Sequence, residues 1–337
     1  MVEEIKRERK NKLIDCFGRN IDYLRLSVTD RCDLKCVYCH PPHKINYLDR
    51  SEICSYRELL QVVKVASTLG IDKVRLTGGE LFLRNDIIEF ISSLHEIEEL
   101  KEIVLTTNGT LLLPHLKRLK EIGIRRINIS LDTLSEDLYY RITGRHRFFT
   151  VLEGIQRALE EGFMIKVNMV VLRGINETEI TEFIQYFLKN SVEVRFIEFM
   201  PLCGPGWRED YFFPYEKIKD IIKKKFDIHP LLSSGVAQEF ALRGRNGLKG
   251  KIGIIAPVTR SFCSSCSRLR LSASGELRPC LFSKTKVELL PLLRDDLSLR
   301  EKEKMIREAF KEAVKMKPSS MSKDHAAGDI YIRSLGG

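Results

Sequence analysis

The sequence of 337 residues contains no long run of hydrophobic residues, and its N-terminus carries no hydrophobic segment. A membrane-spanning helix needs roughly 18 or more consecutive apolar residues, and a secretory signal peptide needs an apolar stretch behind a basic start. These absences argue against a membrane span and against an export signal. We therefore expect a cytoplasmic protein with no membrane partner.

The cysteines are not distributed along the chain as they are in disulfide-rich proteins. Six of the nine fall in two tight clusters, whereas disulfides persist mainly in secreted proteins. The other three, Cys16, Cys54 and Cys203, have no partner in sequence and are expected to be free thiols. The clustering favours metal binding in a reduced compartment over cross-linking.

The basic residues are not interleaved with aromatic ones. The formal net charge of +10 predicts an anionic partner, but a surface for single-stranded nucleic acid needs aromatic side chains among its cations. The two densest basic runs, residues 6–10 and 223–225, lack them. We therefore expect no nucleic-acid partner. A zinc-stabilised nucleic-acid-binding protein is the alternative from a different functional class.

Cys32, Cys36 and Cys39, the first triad, form a C-x3-C-x2-C pattern directly after a predicted strand. Thiolates bind zinc or an iron–sulfur cluster far better than they bind magnesium or calcium. A structural zinc site needs four protein ligands, and His40 is the nearest candidate for the fourth. A [4Fe-4S] cluster held by three cysteines leaves one iron open to a reacting ligand. The spacing alone leaves both possibilities open.

Cys263, Cys266 and Cys280, the second triad, have the pattern C-x2-C-x13-C. A zinc ribbon would require a second C-x2-C pair, and Cys280 stands without one. Two sets of three cysteines more naturally hold two clusters, each with one open iron.

Short β-rich segments alternate with helical segments over the first two thirds of the chain. The predicted strands are 23–28, 73–77, 102–107, 126–131, 164–171 and 192–199, and the predicted helices are 57–69, 86–96, 112–122, 148–161 and 176–189. About six βα units predict a parallel sheet, either open or curled into a partial barrel. In such folds the loops after the C-terminal strand ends carry the site. The pattern changes after about residue 212.

Several motifs resemble those of radical S-adenosylmethionine (SAM) enzymes. The first triad is followed by Gly78-Gly79-Glu80 after the second strand, and the segments 24–32, 106–109, 195–200 and 266–271 narrow the resemblance to the GTP 3′,8-cyclase family of molybdenum cofactor biosynthesis. The resemblance runs from about Phe17 to the C-terminus. It implies an α/β fold, namely an incomplete (β/α)6 TIM-like barrel with a C-terminal extension that carries a second iron–sulfur cluster. The implied divisions are a radical SAM barrel, 1–212, an auxiliary-cluster and GTP-binding region, 213–320, and a flexible Gly-Gly tail, 321–337.

The resemblance implies two [4Fe-4S] clusters as cofactors, one on each triad, with SAM bound at the first. The residues implied to contact SAM are Tyr38, Gly79, Ser130 and Met200. A glycine lets a ligand approach the backbone closely, because it has no Cβ. Met200, taken alone, is more typical of a core residue than of a ligand contact.

Three cations interrupt otherwise apolar strands: Arg25, Arg75 and Lys166. A charge in such a place is costly unless it is paired, and a buried triphosphate needs several cations. Period-two alternation puts Lys166 and Asn168 on one face of their strand. Ion pairs with acids such as Glu198 are the alternative explanation. The resemblance implies GTP as substrate, with its base at the second cluster and contacts from Arg25, Arg75, Thr106, Lys166, Arg268, Leu269 and Arg270.

The implied reaction removes the ribose 3′ hydrogen of GTP with a 5′-deoxyadenosyl radical. The sugar radical then attacks C8 of guanine, which gives 3′,8-cyclo-7,8-dihydro-GTP, a reaction of the carbon–carbon lyase class. The cofactors carry this chemistry, so no catalytic side chain is assigned. The resemblance also implies an unidentified reductant as partner and leaves a homodimer open.

Three positions depart from the family pattern: Leu81 stands for proline, His40 for methionine and Ser267 for asparagine. His40 keeps the four-ligand zinc site open. Another enzyme of the superfamily with an auxiliary cluster, such as a peptide maturase, is the alternative among enzymes, although those usually carry more cysteines in their C-terminal part.

Overall fold

The computed structural model describes residues 12–39, 47–201, 208–233, 235–244 and 247–320. His40, Cys203 and the predicted tail from 321 to 337 lie outside the described residues, and so do the predictions made for them. Within the described part of the chain, no helix is long and apolar enough to cross a bilayer.

The strands and helices follow one another along the whole described chain. The strands are β1 (Leu13–Ile14), β2 (Asn20–Ile21), β3 (Tyr23–Ser27), β4 (Lys73–Thr77), β5 (Glu102–Thr107), β6 (Arg126–Ser130), β7 (Met164–Val171), β8 (Glu193–Glu198), β9 (Phe226–Pro230), β10 (Gln238–Gly244), β11 (Lys249–Ile255), β12 (Arg268–Leu271), β13 (Glu276–Arg278) and β14 (Val287–Glu288). The helices are α1 (Tyr56–Ser67), α2 (Ile87–His95), α3 (Leu116–Glu121), α4 (Glu136–Thr143), α5 (Phe148–Glu160), α6 (Ile180–Lys189), α7 (Tyr215–Lys225), α8 (Leu290–Arg294) and α9 (Leu299–Lys315).

One large sheet organises these elements. Its strand order is β14–β13–β12–β3–β4–β5–β6–β7–β8–β11–β10–β9. The eight strands from β12 to β11 are mutually parallel, and antiparallel pairs extend both edges. The strands β3 to β8 are adjacent in chain order with helices between them, because parallel neighbours need crossover connections. The predicted βα alternation is thus confirmed.

The C-terminal third of the chain completes the same sheet on both sides. Strand β11 pairs with β8, with Ile252 opposite Val194, and strand β12 returns to pair with β3, with Leu269 opposite Leu24. Strands from both sides of the predicted boundary at residue 212 therefore share one sheet. The boundary itself stays a prediction.

The two faces of the parallel strands differ sharply in polarity. In β3, Leu24 and Leu26 are fully buried and join the apolar layer on which the helices pack. Tyr23 and Arg25 alternate with them and therefore lie on the opposite face, since successive side chains of a strand point to opposite sides. The same alternation continues across β4 to β8, so one face is a hydrophobic core. The other carries most of the charged side chains, together with a few apolar ones such as Val104 and Ile197, and we call it the polar face.

Segment 256–267 carries the chain from the end of β11 to the start of β12. Because both strands are parallel members of one sheet, the segment runs from the C-terminal edge of the sheet to its N-terminal edge. The fully buried Glu198, at the end of β8, fixes its first part. The carboxylate accepts hydrogen bonds from the backbone N–H of Val258 (3.0 Å), Thr259 (3.1 Å) and Tyr215 (2.8 Å) and from the Thr259 hydroxyl. Glu198 therefore holds backbone donors, and it forms no ion pair with a described residue.

We expect Glu198→Gln to lower the free energy of unfolding by about 1–3 kcal/mol, because an amide nitrogen would face N–H donors that now bond to an oxygen. Urea denaturation of the purified variant measures the change. Glu303→Gln, an exposed position of α9, is the control and is expected to stay within about 0.5 kcal/mol of the parent. Equal stability of the two variants would contradict the anchoring role of Glu198.

Candidate functional site

The first triad lies in the loop after β3, at the edge where the parallel strands end. All three thiols are half-buried. The backbone N–H of Lys35 donates to the carbonyl of Thr143 (2.8 Å), and that of Val37 donates to Ile142 (2.9 Å). The loop is therefore fixed alongside the end of α4.

A polar network joins the first triad to the loop after β5. The Asn108 side-chain amide donates to the Asp33 carboxylate (2.8 Å) and to the Cys32 sulfur (3.6 Å), and the Thr110 hydroxyl donates to the other oxygen of Asp33 (2.7 Å). Asn108 thus links the sheet edge directly to one ligand candidate.

Tyr38 connects the same loop to the end of β6. Its hydroxyl donates to Asp132 (2.6 Å), whose second oxygen accepts from the backbone N–H of Val170 (2.8 Å). Burial raises the pKa of Asp132 to about 6, although both hydrogen bonds favour the ionised form. Tyr38 is accordingly held by a buried acid rather than left mobile.

The Gly-Gly-Glu loop after β4 packs against the backbone that leads into the first triad. A Cβ on Gly79 would lie 2.2 Å from the carbonyl oxygen of Arg31, so only glycine fits. The buried Glu80 accepts hydrogen bonds from the Thr107 hydroxyl (2.8 Å) and the Asn108 N–H (2.7 Å). Burial raises the pKa of Glu80 to about 7 despite these bonds. Glu80 thereby positions the loop that reaches Cys32.

Two thiols of the first triad, Cys32 and Cys36, stand in surroundings that oppose ionisation. Burial raises the pKa of Cys32 to about 12, and the carboxylates of Glu80 and Asp33 act in the same direction. Burial and the neighbouring Asp132 likewise raise the pKa of Cys36. Cysteine ligates metals as the thiolate. These two thiols therefore fit a site whose positive charge comes from a bound metal centre.

Among the residues that the structure describes, no three His, Cys, Asp or Glu side chains have the arrangement that would hold a single metal ion. Three thiols can hold a [4Fe-4S] cluster and leave one iron open. His40, the candidate for a fourth zinc ligand, lies outside the described residues.

The second triad surrounds the opposite, N-terminal edge of the sheet. Cys266 lies two residues before β12, and Cys280 lies two residues after β13, which is antiparallel to β12. The buried Lys317 donates to the Cys266 sulfur (3.6 Å) and to the carbonyls of Arg268 (2.7 Å) and Pro279 (2.9 Å). One ammonium group therefore ties both ends of this triad together.

Arg19 holds the third member of the second triad. Its guanidinium donates to the carbonyls of Cys263 (2.5 Å) and Pro318 (2.7 Å) and pairs with Asp15 (2.5 Å). Burial opposes ionisation of Cys266, but the charges of Arg268 and Lys317 lower its pKa to about 7. The second triad thus lies in positive surroundings, in contrast to the first.

Four arginines lie on the polar face between the two triads. Arg25, Arg75 and Arg270 are in register on β3, β4 and β12, with Arg268 one step nearer the second triad. Burial lowers the pKa of Arg25 well below its usual value, and the charges of Arg270, Arg75 and Arg268 add to this shift. Burial and Arg268 lower the pKa of Arg270 to about 10. The four guanidinium groups therefore give this face a strongly positive electrostatic potential.

Tyr23 lies within this arginine group. Its hydroxyl accepts a hydrogen bond from Arg75, which also donates to Thr106 (3.0 Å). Burial raises the pKa of Tyr23, but the charges of Arg75 and Arg25 outweigh it and bring the value to about 8. Thr106 is thus in direct contact with the arginine group.

Lys166 belongs to a second group of charges on the same face. Glu193 accepts from Lys166 (2.9 Å), Arg195 (2.9 Å) and Lys251 (3.0 Å), and Glu239 contacts Arg195 (3.3 Å) and Lys251 (3.1 Å). Burial and the charge of Arg195 lower the pKa of Lys166. The ion-pair alternative therefore applies to Lys166, with Glu193 rather than Glu198 as its partner.

The residues predicted to contact SAM gather at the edge of the first triad. Ser130 ends β6, Met200 follows β8, and Gly79 follows β4; these three and Tyr38 are all half-buried. Leu269 differs from its neighbours, because its side chain is fully buried in the apolar core. Its proposed contact with GTP could only come from its backbone.

No role in the site was predicted from the sequence for Tyr23, Asn108, Asp132 or Lys317. Tyr23 carries a signal, since it lies two positions before Arg25 and hence on the same strand face. Asn108 and Asp132 carry a weaker signal as polar residues directly after strands. Lys317 could not be recognised from the sequence, because nothing in its local sequence distinguishes it from the surface lysines of α9.

Two family models match the chain. The model described as Radical SAM superfamily matches residues 26–187, and the model described as Molybdenum Cofactor Synthesis C matches residues 192–323. The crystal structure of Streptococcus suis SuiB bound to S-adenosylmethionine superposes with a TM-score of 0.59 at 16% identity, covering 88% of this chain and 69% of that chain. The fold and the first triad thus define the class of radical SAM proteins.

Curated relatives narrow the class. The GTP 3′,8-cyclase of Thermodesulfovibrio yellowstonii is 43% identical over 328 residues, which are 96% of this chain and 99% of the relative. The GTP 3′,8-cyclase of Petrotoga mobilis is 41% identical over 312 residues, 91% of this chain and 94% of the relative. The chain belongs to the GTP 3′,8-cyclase family.

We expect Gly79→Ala to lower the free energy of unfolding by about 1–3 kcal/mol, because the new Cβ must displace the backbone at Arg31. Chemical denaturation measures the loss. Gly154→Ala is the matched control: its Cβ would meet only ordinary contacts in helix α5, and alanine is favoured over glycine there by up to about 1 kcal/mol. Similar stability of both variants would contradict the tight packing of the Gly-Gly-Glu loop.

Proposed function

We propose that the protein is a radical SAM enzyme that converts GTP to 3′,8-cyclo-7,8-dihydro-GTP in molybdenum cofactor biosynthesis. One observation carries the proposal for this chain: two sets of three cysteines lie at opposite edges of one parallel sheet, and an arginine-lined face lies between them. Strand β3 spans about 13 Å from Tyr23 to Ser27 at the usual rise per residue. A nucleotide can bridge such a distance.

The first triad would hold a [4Fe-4S] cluster and bind SAM. When bound, this pair supplies a 5′-deoxyadenosyl radical by one-electron cleavage of the sulfonium. The protein would position SAM and shield it from solvent. Asp132 fixes Tyr38, and Gly79 allows its loop to pack closely against the triad loop. Ser130 and Met200 lie at the same edge of the sheet. No side chain is proposed to act as a catalyst.

The second triad would hold another cluster and the guanine base, and the arginines would bind the triphosphate. Arg25, Arg75, Arg268 and Arg270 repel one another on the polar face. An anion placed among them would relieve this repulsion, and guanidinium groups bind phosphate oxygens through charge-assisted hydrogen bonds. Thr106 would join through its contact with Arg75. Lys166, paired with Glu193, would contribute from the neighbouring charge group.

We also propose that the parallel strands curl into an incomplete barrel, with the region from about residue 213 as the extension that carries the second cluster. Segment 256–267 supports this arrangement, since it joins the C-terminal edge at β11 to the N-terminal edge at β12. The polar face would then be the barrel interior. The unidentified reductant, the homodimer, the cytoplasmic location and the absence of a nucleic-acid partner stay predictions.

The deciding experiment is an oxygen-free assay of the reconstituted protein with SAM, GTP and dithionite. We expect 5′-deoxyadenosine and 3′,8-cyclo-7,8-dihydro-GTP in equal amounts, detected by mass spectrometry. GTP deuterated at the ribose 3′ carbon should transfer its deuterium to 5′-deoxyadenosine. Label transfer from another ribose position, or 5′-deoxyadenosine that forms without any change in GTP, would refute the proposed reaction.

Iron content tests the two clusters separately. We expect about eight irons in the reconstituted chain and about four after either triad is changed to alanine, because each cubane contains four irons. Metal analysis by plasma mass spectrometry, with zinc measured in the same samples, gives the count. One or two zincs in place of iron would instead support a zinc-stabilised protein.

We expect Arg270→Ala and Arg268→Ala each to weaken GTP binding about 10- to 100-fold, the range of a lost hydrogen bond to a charged group. Equilibrium dialysis against labelled GTP measures the affinity. Arg270→Lys keeps the positive charge but not the paired guanidinium donors, so its affinity for GTP should fall less. Arg300→Ala, at an exposed position of α9, should bind GTP as the parent does. Unchanged affinity in both arginine variants would remove the pair from the GTP site.

A further inference from the structure

A basic surface lies on one side of the first triad. It consists of four exposed cations and two exposed apolar side chains, and we call it the triad surface: Lys35, Val37, Tyr140, Arg141, Arg145 and Arg147. None of these residues takes part in the SAM or GTP contacts proposed above.

Backbone contacts bring the two segments of the triad surface together. Residues 35 and 37 donate hydrogen bonds to the carbonyls of residues 143 and 142, and a Cβ on Gly144 would lie only 3.5 Å from the Cβ of Lys35. The Arg145 guanidinium donates to the Asp33 carbonyl (3.1 Å). The basic end of α4 therefore lies directly against the loop that carries the three thiols.

The charges of the triad surface are not neutralised within the described part of the chain. None of its four cations forms an ion pair with a described residue. The Asp33 carboxylate is occupied by Asn108 and Thr110. The remaining acids of α4, Glu136 and Asp137, lie in its first turn, at the opposite end of the helix.

A structural explanation accounts for only part of this pattern. Arg141 lies in the last turn of α4, where a cation stabilises the helix through its dipole. Lys35 is on a loop, and Arg145 and Arg147 lie beyond the C-terminal Gly144, so the dipole does not explain them. Val37 is 41% exposed among these cations, and Tyr140 is 46% exposed with one side of its ring stacked on His146.

The proposed function supplies a reason for such a surface. Each reductive cleavage of SAM consumes one electron, and that electron must enter the protein from outside. Val37 is the immediate neighbour of Cys36 and is exposed. Cations that rim a small apolar contact steer an oppositely charged partner and raise its association rate, and interfaces of electron-transfer pairs are typically small.

We propose that the triad surface is the docking site for a small acidic electron-transfer protein that reduces the cluster of the first triad. The inference rests on the proposed function and names the side from which its electron arrives. With a flavodoxin as donor, one electron passes from the anionic flavin hydroquinone, which becomes the neutral semiquinone, to the oxidised cluster. No covalent bond forms or breaks in this transfer.

The first test measures binding. Oxidised flavodoxin is titrated into the reconstituted enzyme by calorimetry at low and high salt. We expect the double variant Lys35→Glu/Arg141→Glu to bind flavodoxin at least tenfold more weakly at low salt and to show a smaller salt dependence. The neutral double variant Lys35→Gln/Arg141→Gln should have an affinity between those of the charge-reversed variant and the parent. Lys223→Glu/Lys224→Glu on α7 changes the net charge equally but lies away from the triad, and should bind as the parent does. Equal loss in the α7 variant would overturn the proposal.

The second test separates docking from damage to the site. Stopped-flow absorbance follows cluster reduction by flavodoxin hydroquinone and, in parallel, by dithionite, which needs no docking surface. We expect the Lys35→Glu/Arg141→Glu variant to be reduced at least tenfold more slowly by flavodoxin and at the parent rate by dithionite. Equal slowing with both reductants, or no slowing with flavodoxin, would refute the triad surface as a docking site.

Two further outcomes are informative. If the variant loses affinity for an RNA oligonucleotide while its affinity for flavodoxin is unchanged, the surface binds nucleic acid and the proposal is wrong. Product formation from GTP with dithionite reports on the proposed function independently. If the parent enzyme is active with dithionite, and the charge variants behave like the parent with flavodoxin, the docking site is refuted. The proposed function is unaffected by that result.

Discussion

The mutual repulsion of four arginines on one face of a parallel sheet is the interaction on which the rest of the site depends. Arg25, Arg75, Arg268 and Arg270 come from three adjacent strands whose other face is a close-packed core. The strands cannot turn these residues to solvent without exposing their leucines, because a one-residue shift reverses both faces. The core therefore holds the four charges together on the opposite face of the sheet.

The two triads are placed by different means. The first lies in the loop that joins β3 to α1 within one βα unit, and its neighbours Asn108 and Asp132 follow strands of the same sheet. The second depends on contacts between distant parts of the chain: Glu198 fixes the start of segment 256–267, and Arg19 and Lys317 fix its end. Their electrostatic surroundings differ accordingly, with buried carboxylates beside one triad and buried cations beside the other.

Local pattern was enough to predict the strands β3 to β8 and most helices. Strand periodicity and helix-ending glycines are short-range signals, and Gly123 and Gly162 adopt the left-handed conformation just after α3 and α5. Helix α4 was missed, although Ser135 caps its start and Gly144 its end, because its eight residues form little more than two turns. The pairing of β12 with β3 and the role of Lys317 were out of reach, since both are set by contacts between residues far apart in sequence.

The pairing of β12 with β3 also has a consequence for biosynthesis. About 245 residues separate Tyr23 from Arg268, so at typical translation rates β3 waits roughly 10 to 50 s for its second neighbour. During that time it is an unprotected edge strand, which invites pairing with other chains. Nascent chains stalled before residue 268 should therefore be the aggregation-prone species, and chaperone demand should end once the last parallel strand leaves the ribosome.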